Sequence, residues 1–141
     1  MSDNSATTDE KVAREALTSD SPFYPVVPER MLLETRWCVA FLDTKPASKG
    51  HALVVAKTVT ASLFDLPAAV QAEIWETVRR TRELLIPRFR PDGFNIGLND
   101  GAAAGQTVPH AHVHIIPRYV GDVSDPRGGI RRVIPAHARY W

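Results

Sequence analysis

Short apolar runs, separated by turn-forming segments, dominate the chain from residue 31 onward. The runs at 31–34, 37–43 and 51–56 carry the aliphatic, β-branched and aromatic residues that suit a pleated sheet. Two more runs, FNIGLN at 94–99 and HAHVHII at 110–116, follow a long interval. The pattern therefore predicts five strands, three before that interval and two after it.

The interval between the third and fourth strands has the periodicity of a helix. Its residues recur on one face at spacings of three and four: Val70, Ile74, Val78, Thr81 and Leu85. We expect Asp65 to cap this helix, Pro67 to lie in its first turn and Pro87 to end it. The order of elements favours an α+β fold, with a five-stranded antiparallel sheet and one main helix on one face.

Periodicity is weak at both ends of the chain. Residues 1–28 are polar and then rich in proline, so we interpret them as a lead-in to a single domain over 29–141, with a short helix at 8–17. After Pro117 the sequence is irregular, because glycines and prolines interrupt it. A chain of 141 residues without internal repeats is expected to form one domain.

Composition and charge exclude several classes of partner. The chain is 44% hydrophobic and 23% charged, as in ordinary globular proteins, and its formal net charge is only +1. No overall field would recruit nucleic acid or an anionic membrane, so we expect local recognition of a small molecule. The lone Cys38 cannot form an internal disulfide, and we expect it to be buried and inert. No leader or membrane span is predicted, which favours the cytoplasm.

Three histidines alternate along the fifth predicted strand. Since residues i, i+2 and i+4 share one face, His110, His112 and His114 are expected to be displayed together. The residues between them are expected to enter the core: Ala111, Val113 and Ile115. A row of titratable rings is costly when two become charged together, so the row indicates a function.

Three interpretations of this row are open. The first is a half-exposed strand whose polar face happens to be histidine. The second is a metal site, in which one ion binds two of the rings, since the outer Cα atoms lie about 13 Å apart at roughly 3.3 Å per residue. A further ligand would then come from His51, Asp43 or Asp100. The third is nucleophilic attack by a neutral imidazole on phosphorus, which gives a phosphoramidate intermediate.

The segment before the histidines favours the third interpretation. The small residues of GAAAGQTV, including Gly105, let backbone N–H groups approach phosphate oxygens. Gln106 and Thr107 add side-chain hydrogen-bonding groups where the strand begins.

These residues resemble the histidine triad family of nucleotide hydrolases and transferases. HAHVHII, preceded by GQT, follows the family pattern, and QTVPHAHVHIIPRYVGD is similar to the fragile histidine triad branch, which cleaves dinucleoside polyphosphates. Upstream, FLDTKPASKGHALVV resembles the family's second block, with a Gly-His pair opening a strand. Residues 124–141 look like the ending of bacterial members.

The resemblance implies a role for each matching residue. His112 would attack the α-phosphorus, His114 and His51 would stabilise charge in the transition state, and His110 would support the other rings. The remaining implied contacts are with substrate: Gly105, Gln106 and Thr107 with phosphates or the departing group, Asp43 with ribose, Phe41 and Leu53 with the base, and Asn99 at a position that differs between branches.

The resemblance also implies a fold, an activity and an assembly. The fold is that of the histidine triad family, and the expected activity is hydrolysis or transfer of a nucleotidyl group through a covalent nucleotidyl-histidine. No tightly bound cofactor or resident metal is expected, although Mg²⁺ can accompany the substrate, and the chain is expected to form a homodimer. Three alternatives stay open: a purine nucleoside phosphoramidase, a metal-dependent hydrolase, and a nucleotide-sensing scaffold in which catalysis is secondary.

Overall fold

Five strands form one sheet, with a single long helix against it, in a computed structural model that describes residues 16–141. The elements are β1 (Met31–Glu34), β2 (Cys38–Leu42), β3 (Ala52–Ala56), α1 (Ala68–Phe89), β4 (Gly93–Gly97) and β5 (His112–Arg118). The strand order is β1-β2-β3-β5-β4 and every neighbouring pair is antiparallel. The predicted α+β class is confirmed. The helix predicted at 8–17 lies outside the described residues except for its last two positions.

Helix α1 covers one face of the sheet. The five positions predicted to form its inner face are all buried, and they pack against alternate residues of β2, β3 and β5. Thr77 is buried with them and satisfies its hydroxyl by donating to the Glu73 carbonyl oxygen at 2.7 Å. The periodicity of 3.6 residues therefore identified the buried face correctly.

Both predicted ends of the helix are wrong in detail. Asp65 belongs to a separate 3₁₀ turn, Leu63–Asp65, which Ser62 caps, and Pro67 occupies the N-cap position of α1. Pro87 lies inside the last turn and the helix continues to Phe89. A proline removes only one hydrogen bond there, at an exposed position beside the helix end. Arg90, with a φ of 50°, ends the helix in the left-handed conformation.

The opposite face of the sheet is covered in part by the segment that precedes β1. Ala16, Leu17 and Val26 are buried there, against side chains from β2 and β3. Four strand residues form the other wall of this second cluster: Val39, Phe41, Leu53 and Val55. The domain boundary at residue 29 stays a prediction, but the described part of the lead-in contributes side chains to the core.

Strand β5 is displaced from its prediction by two residues at each end, because it begins at His112 and continues to Arg118. It therefore passes through Pro117, which has no N–H to donate. The Pro117 carbonyl oxygen accepts from the Ser48 hydroxyl at 2.6 Å, on the side where β3 no longer pairs with β5. The missing N–H faces that same side, so no ladder hydrogen bond is lost.

The residues after β5 form two 3₁₀ turns, Gly129–Val133 and Pro135–His137, that fold back beside β4. None of the helices in the part of the chain that the structure describes is long and apolar enough to cross a membrane.

Candidate active site

Two of the three alternating histidines lie on the sheet face that points away from α1. His112 is the partner of Val55 and His114 is the partner of Leu53 on β3, while Val113 and Ile115 point into the helix-side core. His110 precedes the strand and its side chain is fully buried. The prediction that all three rings are displayed is therefore wrong for His110.

Hydrogen bonds explain why His110 can be buried. Its Nε2 lies 2.7 Å from the carbonyl oxygen of Ala56, which only accepts, so Nε2 carries the proton. Its Nδ1 lies 2.7 Å from the hydroxyl of Ser21, which therefore donates to the ring. Both ring nitrogens are paired, so burial leaves neither unsatisfied. The sequence analysis missed Ser21, which lies 89 positions earlier in the chain.

The carbonyl oxygen of His110 in turn orients His112. It lies 2.8 Å from Nδ1 of His112, so that nitrogen is the donor. In the neutral ring the lone pair is then on Nε2. The ring of Phe23 packs edge-on against His112, with the centroids 5.2 Å apart. The hydrogen bond and this contact together restrain the orientation of the imidazole.

His51 and His114 form a second, directly bonded pair. Nδ1 of His51 accepts from the backbone N–H of Ala47 at 2.9 Å, so the proton of this ring is on Nε2. That nitrogen lies 2.9 Å from Nδ1 of His114, which must accept. In the neutral state His114 therefore keeps its own proton on Nε2. A carboxylate oxygen of Asp43 lies 3.7 Å from Nε2 of His51.

The glycine before His51 allows the close approach of β3 to the end of α1. Gly50 has a φ of +88°, and a Cβ at this position would lie 2.8 Å from the ring of Phe89. Only glycine fits both constraints without a shift of the helix end. The Gly-His pair identified in the sequence thus has a packing reason beside its place in the site.

Burial keeps three of these histidines neutral near pH 7. It lowers the pKa of His110, and that of His51 despite the opposing effect of Asp43. Burial, reinforced by the neighbouring rings of His112 and His51, lowers the pKa of His114 to about 4. Neutral rings supply lone pairs and N–H donors without the repulsion that a row of imidazolium cations would create.

A pocket of about 240 Å³ is lined in part by Phe23, the residue whose ring packs against His112. We call it the N-terminal pocket, and it brings together the predicted residues Phe41, Leu53 and Asp43. The rest of its lining comes from the lead-in and from the ends of β1 and β2: Pro22, Phe23, Tyr24, Pro25, Arg30 and Thr44. These were missed, although apolar residues such as Phe23 within a polar segment are a sign that the segment packs.

A second pocket, of about 460 Å³, lies beside the His51–His114 pair. We call it the tail pocket, because Ile130 and Val133 of the residues after β5 form one wall. The predicted residues His51, His114 and Asn99 line it too. The other lining residues are Ala47, Asn95, Ile96, Gly97, Leu98 and Ile116. The ring of His112 lines neither pocket, but it contacts one residue of each, with its centroid 5.2 Å from that of Phe23 and 4.9 Å from that of His114.

The glycine-rich loop is held by Gln106. Its Oε1 accepts from the N–H of Gly101 at 2.9 Å, and its Nε2 donates to the carbonyl oxygens of Ala61 and Val108. Gly105 has a φ of +93°, which glycine adopts without strain, and Thr107 is exposed beside it. In this structure the amide of Gln106 therefore shapes the loop, and Gly105 and Thr107 line neither of the two pockets.

Cys38 lies outside the site. It is fully buried in the helix-side core, and burial raises the pKa of its thiol to about 11. Such a thiol is protonated at neutral pH and is a poor nucleophile.

Comparison with known proteins agrees with this geometry. A family model described as the HIT domain matches residues 24–121, which is more than half of the chain. The protein therefore belongs to the HIT domain family, as the resemblance of its motifs to the histidine triad family implied.

Individual relatives support the same assignment. The chain is 37% identical over 99 residues to a bis(5′-nucleosyl)-tetraphosphatase [asymmetrical] of Schizosaccharomyces pombe, a match that covers 70% of this chain and 54% of that protein. The crystal structure of a HIT family protein from Bacillus anthracis has a TM-score of 0.61 and 38% identity, and covers 64% of each chain. A Zn-bound histidine triad family protein from Mycobacterium smegmatis has a TM-score of 0.61 and 34% identity, and covers 75% of this chain and 81% of that one.

Replacing Ser21 tests the buried hydrogen bond to His110. Ser21→Ala leaves the Nδ1 acceptor unpaired, so we expect the free energy of unfolding to fall by about 1–3 kcal/mol in urea. The exposed Ser19 provides the control, because Ser19→Ala should change the free energy of unfolding by less than about 0.5 kcal/mol. In ¹⁵N spectra the native His110 should carry its proton on Nε2. Equal stability of the two variants, or a proton on Nδ1, would contradict this assignment.

The lowered pKa values predict how stability depends on pH. The folded state binds protons at His51, His110 and His114 less readily than the unfolded chain, whose histidines titrate near 6.5. Below that pH the unfolded state holds more protons, so acid favours unfolding. We expect the free energy of unfolding to fall as the pH is lowered from about 7 to about 5, which is above the range where carboxyl groups titrate. Each unit by which the pKa of a histidine differs between the folded and unfolded states corresponds to a total of about 1.4 kcal/mol. Urea titrations across this range measure it, and a flat or opposite slope would refute it.

Proposed function

We propose that this protein is a nucleotide hydrolase that cleaves dinucleoside polyphosphates at the α-phosphorus through a covalent nucleotidyl-histidine. The observation that carries the proposal is the hydrogen bond from Nδ1 of His112 to the carbonyl oxygen of His110. It leaves the lone pair of the neutral ring on Nε2, which is the state that a nucleophilic imidazole requires.

The N-terminal pocket suits the nucleoside of the group that is transferred. Phe23, Phe41 and Leu53 offer aromatic and aliphatic surface for a base, and the carboxylate of Asp43 at the pocket edge can accept hydrogen bonds from ribose hydroxyls. One oxygen of Asp43 also accepts from the N–H of Lys45 at 2.9 Å, which holds the carboxylate in place. A nucleoside bound there would place its 5′ phosphate toward His112, whose ring contacts Phe23.

The His51–His114 pair suits the charge that develops on the phosphoryl oxygens. The chain of donors runs from His51 Nε2 to His114 Nδ1, and His114 keeps a proton on Nε2. A donor whose orientation is set before the reaction stabilises the transition state without reorganisation. Burial keeps both rings neutral, so neither is an imidazolium that would neutralise the phosphate before the reaction. His51 donates to His114, and His114 has its own N–H available for a phosphoryl oxygen.

The reaction would take two steps. In the first, the Nε2 lone pair of His112 forms a bond to the α-phosphorus, and the bridging P–O bond breaks with its electron pair on the departing nucleotide. In the second, a water oxygen attacks the same phosphorus and the N–P bond breaks, with its electron pair returning to Nε2. The water proton is lost to solvent, and the products are a nucleoside monophosphate and the departing nucleotide.

The Schizosaccharomyces pombe relative is a bis(5′-nucleosyl)-tetraphosphatase, which supports dinucleoside polyphosphates as the substrate class. Because this chain spans only about half of that relative's length, 54%, the activity remains a proposal here. The alternative of a purine nucleoside phosphoramidase uses the same nucleophile and the same α-phosphorus with a smaller leaving group. We propose no resident cofactor, with Mg²⁺ accompanying the polyphosphate, and a homodimer, for which the outer edge of β4 is unpaired within the described chain.

Replacement of His112 tests the nucleophile. His112→Asn should lower turnover of diadenosine tetraphosphate by at least about 10³-fold, because no other group can form the intermediate. The affinity for AMP should stay within about threefold, since the N-terminal pocket is unchanged. Intact mass spectra after rapid denaturation at alkaline pH should show a nucleotidyl adduct on the native chain and none on the variant. The exposed His137→Asn is the control and should keep full turnover.

A variant with native turnover would refute the nucleophile. Loss of turnover with retained binding also provides the tool to test the scaffold alternative, because a sensing role would survive in the His112→Asn protein.

A metal-dependent hydrolase is a second candidate, favoured by one specific cluster. Asp43, His51 and His114 each offer a ligand atom, and these atoms lie within 4.8 Å of one another. Two histidines and a carboxylate are the ligand set of many catalytic zinc sites. Asp100, also considered from the sequence, is exposed and does not belong to this cluster. The similar structure from Mycobacterium smegmatis is that of a Zn-bound protein, so this candidate needs an experimental test.

Chelation separates the two candidates. We expect protein that is incubated with EDTA and then desalted to keep its turnover within about twofold, with Mg²⁺ held constant in the assay to complex the substrate. Loss of activity that Zn²⁺ or Mn²⁺ restores, and Mg²⁺ does not, would instead support a metal-dependent hydrolase. Asp43→Asn in the same assay should then abolish the restoration.

A further inference from the structure

The tail pocket has no assigned role in the chemistry at His112, although two of the catalytic candidates line it. It has a volume of about 460 Å³, which falls in the range of small-molecule sites. His51 and His114 line it together with Ile130 and Val133, which belong to the residues after β5. The pocket therefore connects the phosphate-facing histidines with a surface that takes no part in the sheet.

The wall of this pocket is an ordered part of the fold. Gly129, which begins the wall, lies so close to β4 that a Cβ there would be 3.2 Å from the side-chain nitrogen of Asn95. Arg131 donates to the carbonyl oxygens of His137 and Ala138, and Arg132 to those of Asp125 and Arg127. The two arginines thus hold the backbone that presents Ile130 and Val133.

The chemistry of the lining fits a nucleoside. The aliphatic side chains of Ile116, Ile130 and Val133 suit the faces of a base, and two amides, Asn95 and Asn99, offer donors and acceptors for polar edges. Ile130 and Val133 are 59% and 74% exposed. Large aliphatic side chains exposed beside a reactive group indicate a binding surface. None of the residues that line this pocket is acidic, so no carboxylate of the lining itself opposes the charge of a polyphosphate.

We propose that the tail pocket binds the nucleoside of the departing nucleotide, so that Ile130 and Val133 favour dinucleoside polyphosphates over nucleotides without a second nucleoside. The inference rests on the proposed function, because it assumes that the first nucleoside occupies the N-terminal pocket and that the phosphates lie over His112 and His114. A substrate with a nucleoside at each end needs two separate places, and the ring of His112 contacts both Phe23, which lines the N-terminal pocket, and His114, which lines the tail pocket.

Binding measurements on the inactive His112→Asn protein test the inference directly. The probes are diadenosine tetraphosphate and adenosine 5′-tetraphosphate, which have the same number of phosphates and differ in the second nucleoside. Adding Ile130→Ala and Val133→Ala should weaken calorimetric binding of diadenosine tetraphosphate by about tenfold. Binding of adenosine 5′-tetraphosphate should change by less than about twofold. Ile134→Ala is the matched control, because Ile134 is 57% exposed and lies outside the pocket lining.

Other results would overturn the inference. If the paired variant weakens both probes equally, or neither, the tail pocket does not bind a second nucleoside. If light scattering shows that the paired variant changes the oligomeric mass of the protein, Ile130 and Val133 belong to an interface between copies of the chain instead.

Turnover by the native protein is measured separately. Native protein that does not cleave diadenosine tetraphosphate, combined with the expected binding pattern, would reject the proposed function and keep the subsite. Cleavage of diadenosine tetraphosphate without the difference in binding would keep the proposed function and reject the subsite.

Discussion

The buried imidazole of His110 is the group on which the geometry of the site depends. It joins three segments that are remote in sequence: its ring bonds the lead-in through Ser21 and the end of β3 through Ala56, and its carbonyl oxygen bonds His112. Each ring nitrogen that was buried without a partner would lower the stability of the fold by about 1–3 kcal/mol. Burial of His110 therefore requires the bonds to both Ser21 and Ala56. The tautomer of His112 follows from them, because only a donor can face that carbonyl oxygen.

Alternate residues of the sheet face the core and the site, so the side chains that stabilise the fold and those that carry the chemistry lie on opposite faces. On β5, Val113 and Ile115 enter the core under α1, while His112 and His114 point to the opposite face. The packed side is rigid, so it positions the reactive side chains more accurately than a loop would. The face that carries His112 and His114 also carries the second apolar cluster beneath the lead-in. Three side chains of that cluster, Phe23, Phe41 and Leu53, also line the N-terminal pocket.

The segments outside the strands determine which molecules reach these histidines. The lead-in contributes Phe23 to the N-terminal pocket, and the residues after β5 contribute Ile130 and Val133 to the tail pocket. On the proposed function, the sheet would supply a general reaction at an α-phosphorus, and the two ends of the chain would select its substrate. Relatives with the same triad and different ends would then act on different nucleotides.

The sequence alone determined the features that depend on local pattern. Short apolar runs located all five strands, a period of 3.6 identified the buried face of α1, and HAHVHII with GQT indicated the family. Only the tertiary structure decided that His110 is buried, that Ser21 and Phe23 belong to the site, and that Gln106 shapes its own loop. These depend on hydrogen bonds and contacts between segments far apart in the chain. A local pattern records which face a residue occupies, and it carries no information about the distant partner that covers or satisfies it there.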